Sequence, residues 1–199
     1  TRAAGSANLP SGLRAMKERK PKKLDAQGLL DYGLRALAAR AHSAGELRTK
    51  LLRRAARQDD IPSVMARLKE YGYLDDRKFA DFYAAARLES QGLGKQRVLR
   101  ELRQRRVAPP VAEKAVGETY REVDETELVE AYLARKFRGV ALKDYLAEPK
   151  HLASAFRRLR AAGFSPGAVI RALKRHRADE EALDALEQEP FEPGEPPPE

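Results

Sequence analysis

The chain has 199 residues, a formal net charge of +9, 42% hydrophobic residues, and neither Cys nor Trp. The absence of Cys excludes disulfide bonds, thiolate metal sites and a Cys nucleophile, and no apolar run reaches the roughly 18 to 20 residues needed to cross a bilayer. We therefore expect a soluble, cytoplasmic protein, and its N-terminal residues do not have the pattern of a secretory signal.

The charge is spread unevenly along the chain. Residues 1–24 contain seven basic residues and one acid, whereas 179–199 contain nine acids, no base and five Pro. Because neither segment has enough apolar side chains to bury, we predict a flexible basic tail at 1–24 and an acidic Pro-rich tail at 179–199, both disordered. Residues 150–178 contain eight Lys or Arg and no acid. This distribution indicates a polyanion or an acidic protein face as partner, although charge alone also fits Arg side chains that merely solvate helix surfaces.

Three helices are predicted in the first segment after the basic tail. The first runs over about 25–41, and a capping box formed by Ser43 and Glu46 starts the second. The third begins near Pro62 and ends at Gly72, where a left-handed residue is expected. The residues predicted to face inward are Leu29, Leu30, Gly33, Leu37, Leu47, Leu51, Ala55, Val64, Met65, Leu68 and Tyr71.

Two later segments repeat this pattern. Residues 43–47 are matched 51 residues later by 94–98, and Tyr32 is matched by Tyr83 at the same offset. A third copy follows the second at an offset of 57 and aligns Leu99, Leu102, Val107 and Pro109 with Phe156, Leu159, Phe164 and Pro166. Periods of this size are typical of arrays of small helical units. We predict an all-α chain of three tandem three-helix repeats, at 25–74, 75–122 and 123–178, with an irregular insert at 138–149.

Residues suited to catalysis or metal binding are sparse. The three His residues, His42, His151 and His176, do not have the spacing of metal ligands. The segment 92–95 is Gly-rich but follows no strand, so we interpret it as a hinge rather than a phosphate loop. Acidic residues over 113–130 are interpreted as a solvated face rather than a calcium site. We therefore predict no enzymatic activity, no metal and no cofactor.

Basic residues are concentrated on the helices of the second and third repeats. The planar donor fork of Arg suits carboxylates and phosphates alike. Aromatic side chains that would stack on unpaired bases are missing beside them, because Tyr32, Tyr83 and Tyr132 lie on faces assigned to the core. We therefore predict docking on an acidic protein groove or contact with phosphates. The candidate residues are Arg97, Arg100, Arg103, Arg106, Arg157, Arg158, Arg160, Arg171, Lys174 and Arg175.

Three short motifs occur in order along the chain. They are Gly72-Tyr73-Leu74-Asp75-Asp76-x-x-Phe79-Ala80, Gly94-x-x-Arg97-Val98-x-x-Glu101-Leu102 and Phe156-Arg157-x-Leu159-x-x-x-Gly163-Phe164. Together they resemble the RecX family, bacterial regulators of the RecA recombinase, over about 24–177. This chain departs from the family at Arg106, where the family often has Gly, and at Pro109-Pro110, which stiffens the following turn. The insert at 138–149 is also local to this chain. The motif residues given a structural role are Gly72, Tyr73, Leu74, Asp75, Asp76, Phe79, Gly163 and Phe164.

The resemblance implies a non-enzymatic protein with a curved, elongated body. It implies a mainly negative regulator that binds in the groove of the RecA filament on single-stranded DNA. Such a protein limits filament extension or promotes disassembly, and it lowers ATP hydrolysis and strand exchange in recombination, DNA repair and the SOS response. We expect a monomer with weak direct contact to DNA phosphates. The alternative is a basic helical DNA-binding protein that acts alone, without RecA.

Overall fold

The computed structural model describes residues 23–176 and 178–188 of the chain. Eleven helices form within these residues, which contain no β-strand, so the prediction of an all-α fold is confirmed. Most of the two predicted tails, residues 1–22 and 189–199, lies outside the described residues.

The first bundle contains the three helices predicted for the first repeat. They are α1 (Ala26–Ala39), α2 (Ala44–Arg54) and α3 (Asp60–Glu70). Its core consists of Leu29, Leu30, Leu47, Leu51, Ala55, Ile61, Val64, Met65, Leu68 and Leu74. The prediction that Tyr71 is buried here is wrong, because α3 ends at Glu70 and the Tyr71 side chain is 54% exposed.

Local side-chain chemistry sets the helix ends as predicted. The Ser43 hydroxyl accepts a hydrogen bond from the Glu46 N–H, and the Glu46 carboxylate accepts one from the Ser43 N–H, which completes the capping box of α2. Gly72 has a φ of +73° after α3. Ser165 caps a helix that begins at Pro166. These ends depend on contacts within four residues, which is why the sequence predicts them well.

The second bundle repeats the arrangement. Its helices are α4 (Asp76–Gln91), α5 (Lys95–Gln104) and α6 (Pro109–Thr119). Its core consists of Phe79, Ala80, Ala84, Val98, Leu99, Leu102, Val107, Ala112, Ala115 and Val116. Small Ala side chains at the contact between α4 and α6 allow these two helices to lie close together.

The third bundle is larger than the sequence analysis predicts. Its helices are α7 (Glu125–Lys136), α8 (Leu142–Leu146), α9 (Pro149–Ala161), α10 (Pro166–Arg175) and α11 (Glu180–Gln188). The insert at 138–149 is not wholly irregular, because it contains α8, whose Leu146 is buried in the bundle core. The acidic segment after 179 also begins as a helix, α11, rather than as a tail. Its Leu183 is fully buried, so this helix is anchored to the core of the third bundle.

Neighbouring bundles meet through one recurring arrangement. The N-terminus of α2 packs on the turn that follows α5, where a Cβ at Gly45 would lie 2.6 Å from the carbonyl oxygen of Arg106. The N-terminus of α5 packs in the same way on the turn after α9, where a Cβ at Gly94 would lie 2.5 Å from the backbone nitrogen of Phe164. We call these contacts the first and the second junction.

Candidate partner-binding surface

The first motif connects the first two bundles. Leu74 is buried in the first core and Phe79 in the second, where its ring stacks on Tyr83 with centroids 5.9 Å apart. Between them, the Asp75 carboxylate caps α4 by accepting from two backbone N–H groups. The Asp76 carboxylate accepts from the N–H of Ala44 at 2.6 Å, which ties α4 to the start of α2. The acidic pair thus satisfies helix N-termini in both bundles.

The third motif forms the second junction. Gly163 has a φ of +96°, and a Cβ there would clash with the backbone nitrogen of Arg97 and lie 2.7 Å from the carbonyl oxygen of Gly94. Phe164 is fully buried, with its ring edge-to-face against Tyr132 at 5.5 Å. Glycine is required here both by the backbone conformation and by the close approach of two backbones.

Backbone hydrogen bonds fasten the second junction. The N–H of Gly94 donates to the carbonyl of Ala162 at 2.9 Å, and the N–H of Gln96 donates to the carbonyl of Gly163 at 3.1 Å. Two N–H groups at the start of α5, which have no acceptor within the helix, therefore find acceptors in the next bundle. This pairing positions the side chains of α5 and α9 next to each other.

The structure brings four of the predicted Arg residues together at this junction. We call Arg97, Arg100, Arg158 and Arg160 the seam cluster. Arg97 and Arg158 line a cleft of about 210 Å³ whose wall includes Tyr132. Arg100 donates to the carbonyl of Ala161 at 3.1 Å, and Arg160 donates to the carbonyl of Phe164 at 2.7 Å. Arg157 is exposed on α9 beside this cluster in sequence.

Like charges are crowded within the seam cluster. Burial lowers the pKa of Arg100, and the neighbouring charges of Arg97 and Arg160 lower it further. Burial also lowers the pKa of Arg160, although Glu125 and Glu187 act in the opposite direction. The guanidinium groups remain charged at neutral pH because the pKa of an Arg side chain lies far above 7. An anion bound at the seam would relieve this repulsion.

Glu101 compensates part of the charge at the seam. Its carboxylate accepts from the Tyr83 hydroxyl at 2.6 Å and from the Nε atoms of Arg87 and Arg97, both at 2.8 Å. Burial acts to raise the pKa of Glu101, but the hydrogen bonds from Tyr83, Arg97 and Arg87 lower it overall. The Arg97 side chain is still 46% exposed. This exposure leaves part of the Arg97 guanidinium group accessible at the surface.

The other predicted residues are dispersed and mostly paired. Arg103 is six residues after Arg97 on α5, so the two side chains point in directions about 120° apart around the helix axis. Arg103 instead faces α6, where it lies 3.8 Å from Glu113. Arg106 lies in the turn of the first junction. At the far end of the third bundle, the remaining residues are held by neighbouring polar groups. Their contacts are Arg171 with Thr126 at 3.2 Å, Lys174 with Glu180 at 3.1 Å, and Arg175 with Glu127 at 2.6 Å.

Sequence reasoning missed two Arg residues that hold the bundles together. Arg105 pairs with Glu46 across the first junction at 3.2 Å and lies over the Tyr83 ring at 4.8 Å. Arg135, in the last turn of α7, donates to the carbonyls of Ser90 and Gln91 at the end of α4. Neither residue shares the three-residue spacing by which the candidates on α5 were chosen. The available signal was Glu46, an acid that the capping box fixes at the start of α2, where its side chain is mostly buried.

The three His residues serve local contacts. His42 is buried, His151 stacks on Tyr145 with centroids 4.2 Å apart, and His176 lies 2.8 Å from Glu130. Within residues 23–176 and 178–188, no group of three or more His, Asp or Glu side chains is arranged to hold a metal ion. None of the helices in that part of the chain has the length and apolar character needed to span a membrane.

Comparison with known proteins gives a consistent result. Models of the first and second three-helix domains of RecX match residues 30–68 and 75–116. The chain is 34% identical over 135 residues to the regulatory protein RecX of Vibrio vulnificus. This match covers 68% of this chain and 84% of the relative. It is 36% identical over 111 residues to that of Halorhodospira halophila, covering 56% and 67%.

Two solved structures have the same fold. The crystal structure of RecX from Lactobacillus salivarius has a TM-score of 0.50 at 16% identity, and the match covers 82% of this chain and 94% of that one. A second crystal structure, of a regulatory protein RecX, has a TM-score of 0.58 at 17% identity, covering 75% and 73%. These likenesses show the fold, while the sequence identity to curated relatives, with the matching three-helix domains, establishes that the chain belongs to the RecX family.

Proposed function

We propose that this protein is a mainly negative regulator of the RecA recombinase and that it binds in the groove of the RecA filament on single-stranded DNA. By binding there it limits filament extension or promotes disassembly, and it lowers ATP hydrolysis and strand exchange. The proposal makes specific the regulatory role that the names of its relatives state. The observation that carries it is the seam cluster, where guanidinium groups crowd together at the contact between two repeats.

The seam cluster has the chemistry that an acidic protein groove or a phosphate requires. Guanidinium groups bind carboxylates and phosphates through parallel hydrogen bonds. The backbone bonds of the second junction hold α5 and α9 in register, so little ordering is required when a partner binds. A helical polymer presents equivalent sites at regular spacing. A protein made of repeats can contact several of them at once, and each contact raises the effective concentration for the next.

The direct test is RecA-catalysed ATP hydrolysis on single-stranded DNA, with this protein titrated in. We expect the rate to fall as the ratio of protein to RecA rises. An unchanged rate at stoichiometric and higher ratios would overturn the proposal. Filament length, measured by electron microscopy in the same samples, distinguishes limited extension from disassembly of filaments formed beforehand.

Paired substitutions test whether the seam cluster is the surface involved. Arg97→Gln with Arg158→Gln removes two charges from the cleft, and we expect the concentration for half-inhibition to rise roughly tenfold. Lys174→Gln with Arg175→Gln removes the same net charge from side chains already paired with Glu180 and Glu127, and we expect a change within about twofold. Equal effects of the two pairs would assign the inhibition to net charge rather than to the seam. Arg100 is avoided because it fastens the junction.

A DNA-binding protein acting alone would behave differently. Fluorescence anisotropy with labelled single-stranded DNA and no RecA measures direct binding. Under the alternative, the protein would bind this DNA tightly, and its affinity would fall steeply as salt is added. A plot of the logarithm of the binding constant against the logarithm of the salt concentration would have a slope of roughly −1 for each phosphate contacted. We expect only weak binding in this assay and much tighter binding when the DNA carries RecA.

A further inference from the structure

A groove separates the first and second bundles on a surface that shares no residue with the seam cluster. It has a volume of about 660 Å³ and lies between α1 and α4. Its apolar wall is formed by Leu34, Leu37 and Ala38 on one side and by Tyr73, Phe79 and Phe82 on the other. The Phe82 side chain is 72% exposed and that of Tyr73 is 58% exposed. Large aromatic side chains grouped and exposed in this way mark interaction sites.

One buried polar atom beside the groove has no partner. His42 lines the groove and is only 4% exposed. Its Nδ1 lies 2.8 Å from the carbonyl oxygen of Arg40, and because a carbonyl can only accept, Nδ1 carries the hydrogen. Burial lowers the pKa of His42 and keeps the ring neutral. Nε2 is then a bare acceptor, and it is buried without a hydrogen-bond partner in the described residues. Buried acceptors are seldom left unsatisfied.

Two charged side chains lie at the edge of the groove, Lys78 and Asp75. Lys78 makes no ion pair with the residues that the structure describes, whereas the carboxylate of Asp75 accepts hydrogen bonds from two backbone N–H groups at the start of α4. Asp81, three residues after Lys78 on α4, lines a different pocket, beside Pro110. The groove therefore combines an apolar wall, a buried acceptor without a partner in the described residues, and a Lys that forms no ion pair with those residues.

We propose that this groove docks an amphipathic segment of a protein partner, one that brings apolar side chains, a hydrogen-bond donor and a carboxylate facing Lys78. An amphipathic helix placed in an apolar groove is a recurring form of such recognition. The inference rests on the proposed function, so the partner is the RecA filament. The groove then provides a second point of contact, on the first and second bundles, and its affinity comes from apolar burial rather than from charge.

The first test compares two exposed apolar residues in the full chain. We expect Phe82→Ser to weaken binding to the RecA filament about tenfold, since a Phe buried in an interface contributes on this scale. Val140→Ser is the control, because Val140 is also exposed, at 43%, and lies away from the groove. We expect it to bind within twofold of the wild type. Thermal unfolding of both variants checks that the fold is intact.

The outcomes separate the inference from the function on which it rests. If the wild type binds the filament and Phe82→Ser binds equally well, the groove is not a docking site, but the proposed function stands. If the wild type neither binds RecA nor changes its ATP hydrolysis, both proposals are overturned. The ionic-strength dependence gives a further distinction, because we expect loss of Phe82 to leave the salt dependence of binding unchanged, whereas loss of the Arg97 and Arg158 charges reduces it.

The second test identifies what occupies the groove. Because the chain has no Cys, Ala38→Cys places a single thiol on the groove wall and Glu118→Cys places a control thiol on the exposed surface of α6. We expect both thiols to react with iodoacetamide at similar rates in the free protein. Addition of RecA filament should slow only the Ala38→Cys thiol, by tenfold or more. Protection already present in the free chain would overturn the inference: concentration-independent protection would assign the groove to another segment of this chain, and concentration-dependent protection to a second copy.

Discussion

At the first junction, Arg105 meets a carboxylate, because Glu46 of the neighbouring bundle pairs with it and with Arg40. At the second junction, Arg100 meets a backbone carbonyl instead, and the charges of Arg97 and Arg160 beside it are only partly balanced by Glu101. The packing of a helix N-terminus on the next turn is the same in both. The comparison teaches that the arrangement of backbones can be kept while the charges around it differ, with a carboxylate shared by two Arg residues at one junction and several Arg residues crowded together at the other.

The two junctions also differ in the residue that forms the turn. Gly163 occupies a left-handed conformation at the second junction, and its equivalent at the first is Arg106, with a φ of +60°. At the first junction Gly45 provides the space, since the Arg106 backbone fills the position that a Cβ there would take. The second junction has glycine on both sides, at 94 and 163, so the backbones can approach closely enough for direct hydrogen bonds.

The largest effect is expected from breaking the second junction. Gly163→Val would place a branched side chain at a φ of +96° and against the backbone of Arg97. We expect the free energy of unfolding to fall by about 3 kcal/mol or more, from strain and overpacking together. Urea denaturation measures the loss. Gly139→Val is the matched control, with a φ of +80° but no atom within 4 Å of a Cβ, and we expect a loss of only about 1–2 kcal/mol. Equal losses would show that the close approach is unimportant.

A smaller effect is expected from the carboxylate that partly balances the seam. Glu101→Gln weakens three charge-assisted hydrogen bonds, and we expect the free energy of unfolding to fall by about 2 kcal/mol at pH 7. The pKa of Glu101 is lowered in the folded protein from its ordinary 4.5, so its contribution is present above about pH 4.5 and is lost as the pH falls through the folded-state value. Urea titrations at several pH values should therefore show the difference between variant and wild type shrinking on acidification. A difference that stays constant below pH 4 would exclude this linkage.

The same measurement at the first junction sharpens the comparison. The Glu46 pKa is also lowered: burial acts to raise it, but Arg40, the Ser43 N–H and the charge of Arg105 together lower it. We expect Glu46→Gln to lower the free energy of unfolding by about 1 kcal/mol at neutral pH, with the same loss of effect in acid, because the helix cap and exposed ion pairs contribute on this scale. Inhibition of RecA should change within twofold, because this charge lies away from the seam cluster. Strong loss of inhibition would mean that the first junction also takes part in binding.

The smallest effect is expected from making the turns alike. Arg106→Gly removes the strain of a left-handed non-glycine residue, about 1–2 kcal/mol. It also increases the conformational entropy of the unfolded backbone, and this lowers the free energy of unfolding by roughly 0.5–1 kcal/mol. We expect a net gain of about 0.5 kcal/mol in the free energy of unfolding, seen as a rise in Tm of a few degrees at most. A lowered Tm would show that the Arg106 side chain makes a stabilising contribution.

Helix positions and helix ends could be predicted from the sequence because they depend on neighbouring residues. Ser43 with Glu46 and Ser165 with Pro166 form the caps that their spacing indicates. The buried face of α5 follows the apolar period of Val98, Leu99 and Leu102. The prediction for Tyr71 was wrong because it extended the apolar period of α3 by one residue. The helix ends at Glu70, so the helical period no longer decides which way the next side chain faces.

The sequence by itself determined that this protein is a chain of small helical repeats with an excess of Arg on its second and third units. Only the tertiary structure decided which of those Arg residues face one another. Arg97 and Arg158 are 61 residues apart and line one cleft, whereas Lys174 meets Glu180 because an acidic helix folds back on the third bundle. Charge is a property of each residue, but its neutralisation depends on contacts between distant segments, and those exist only after the chain has folded.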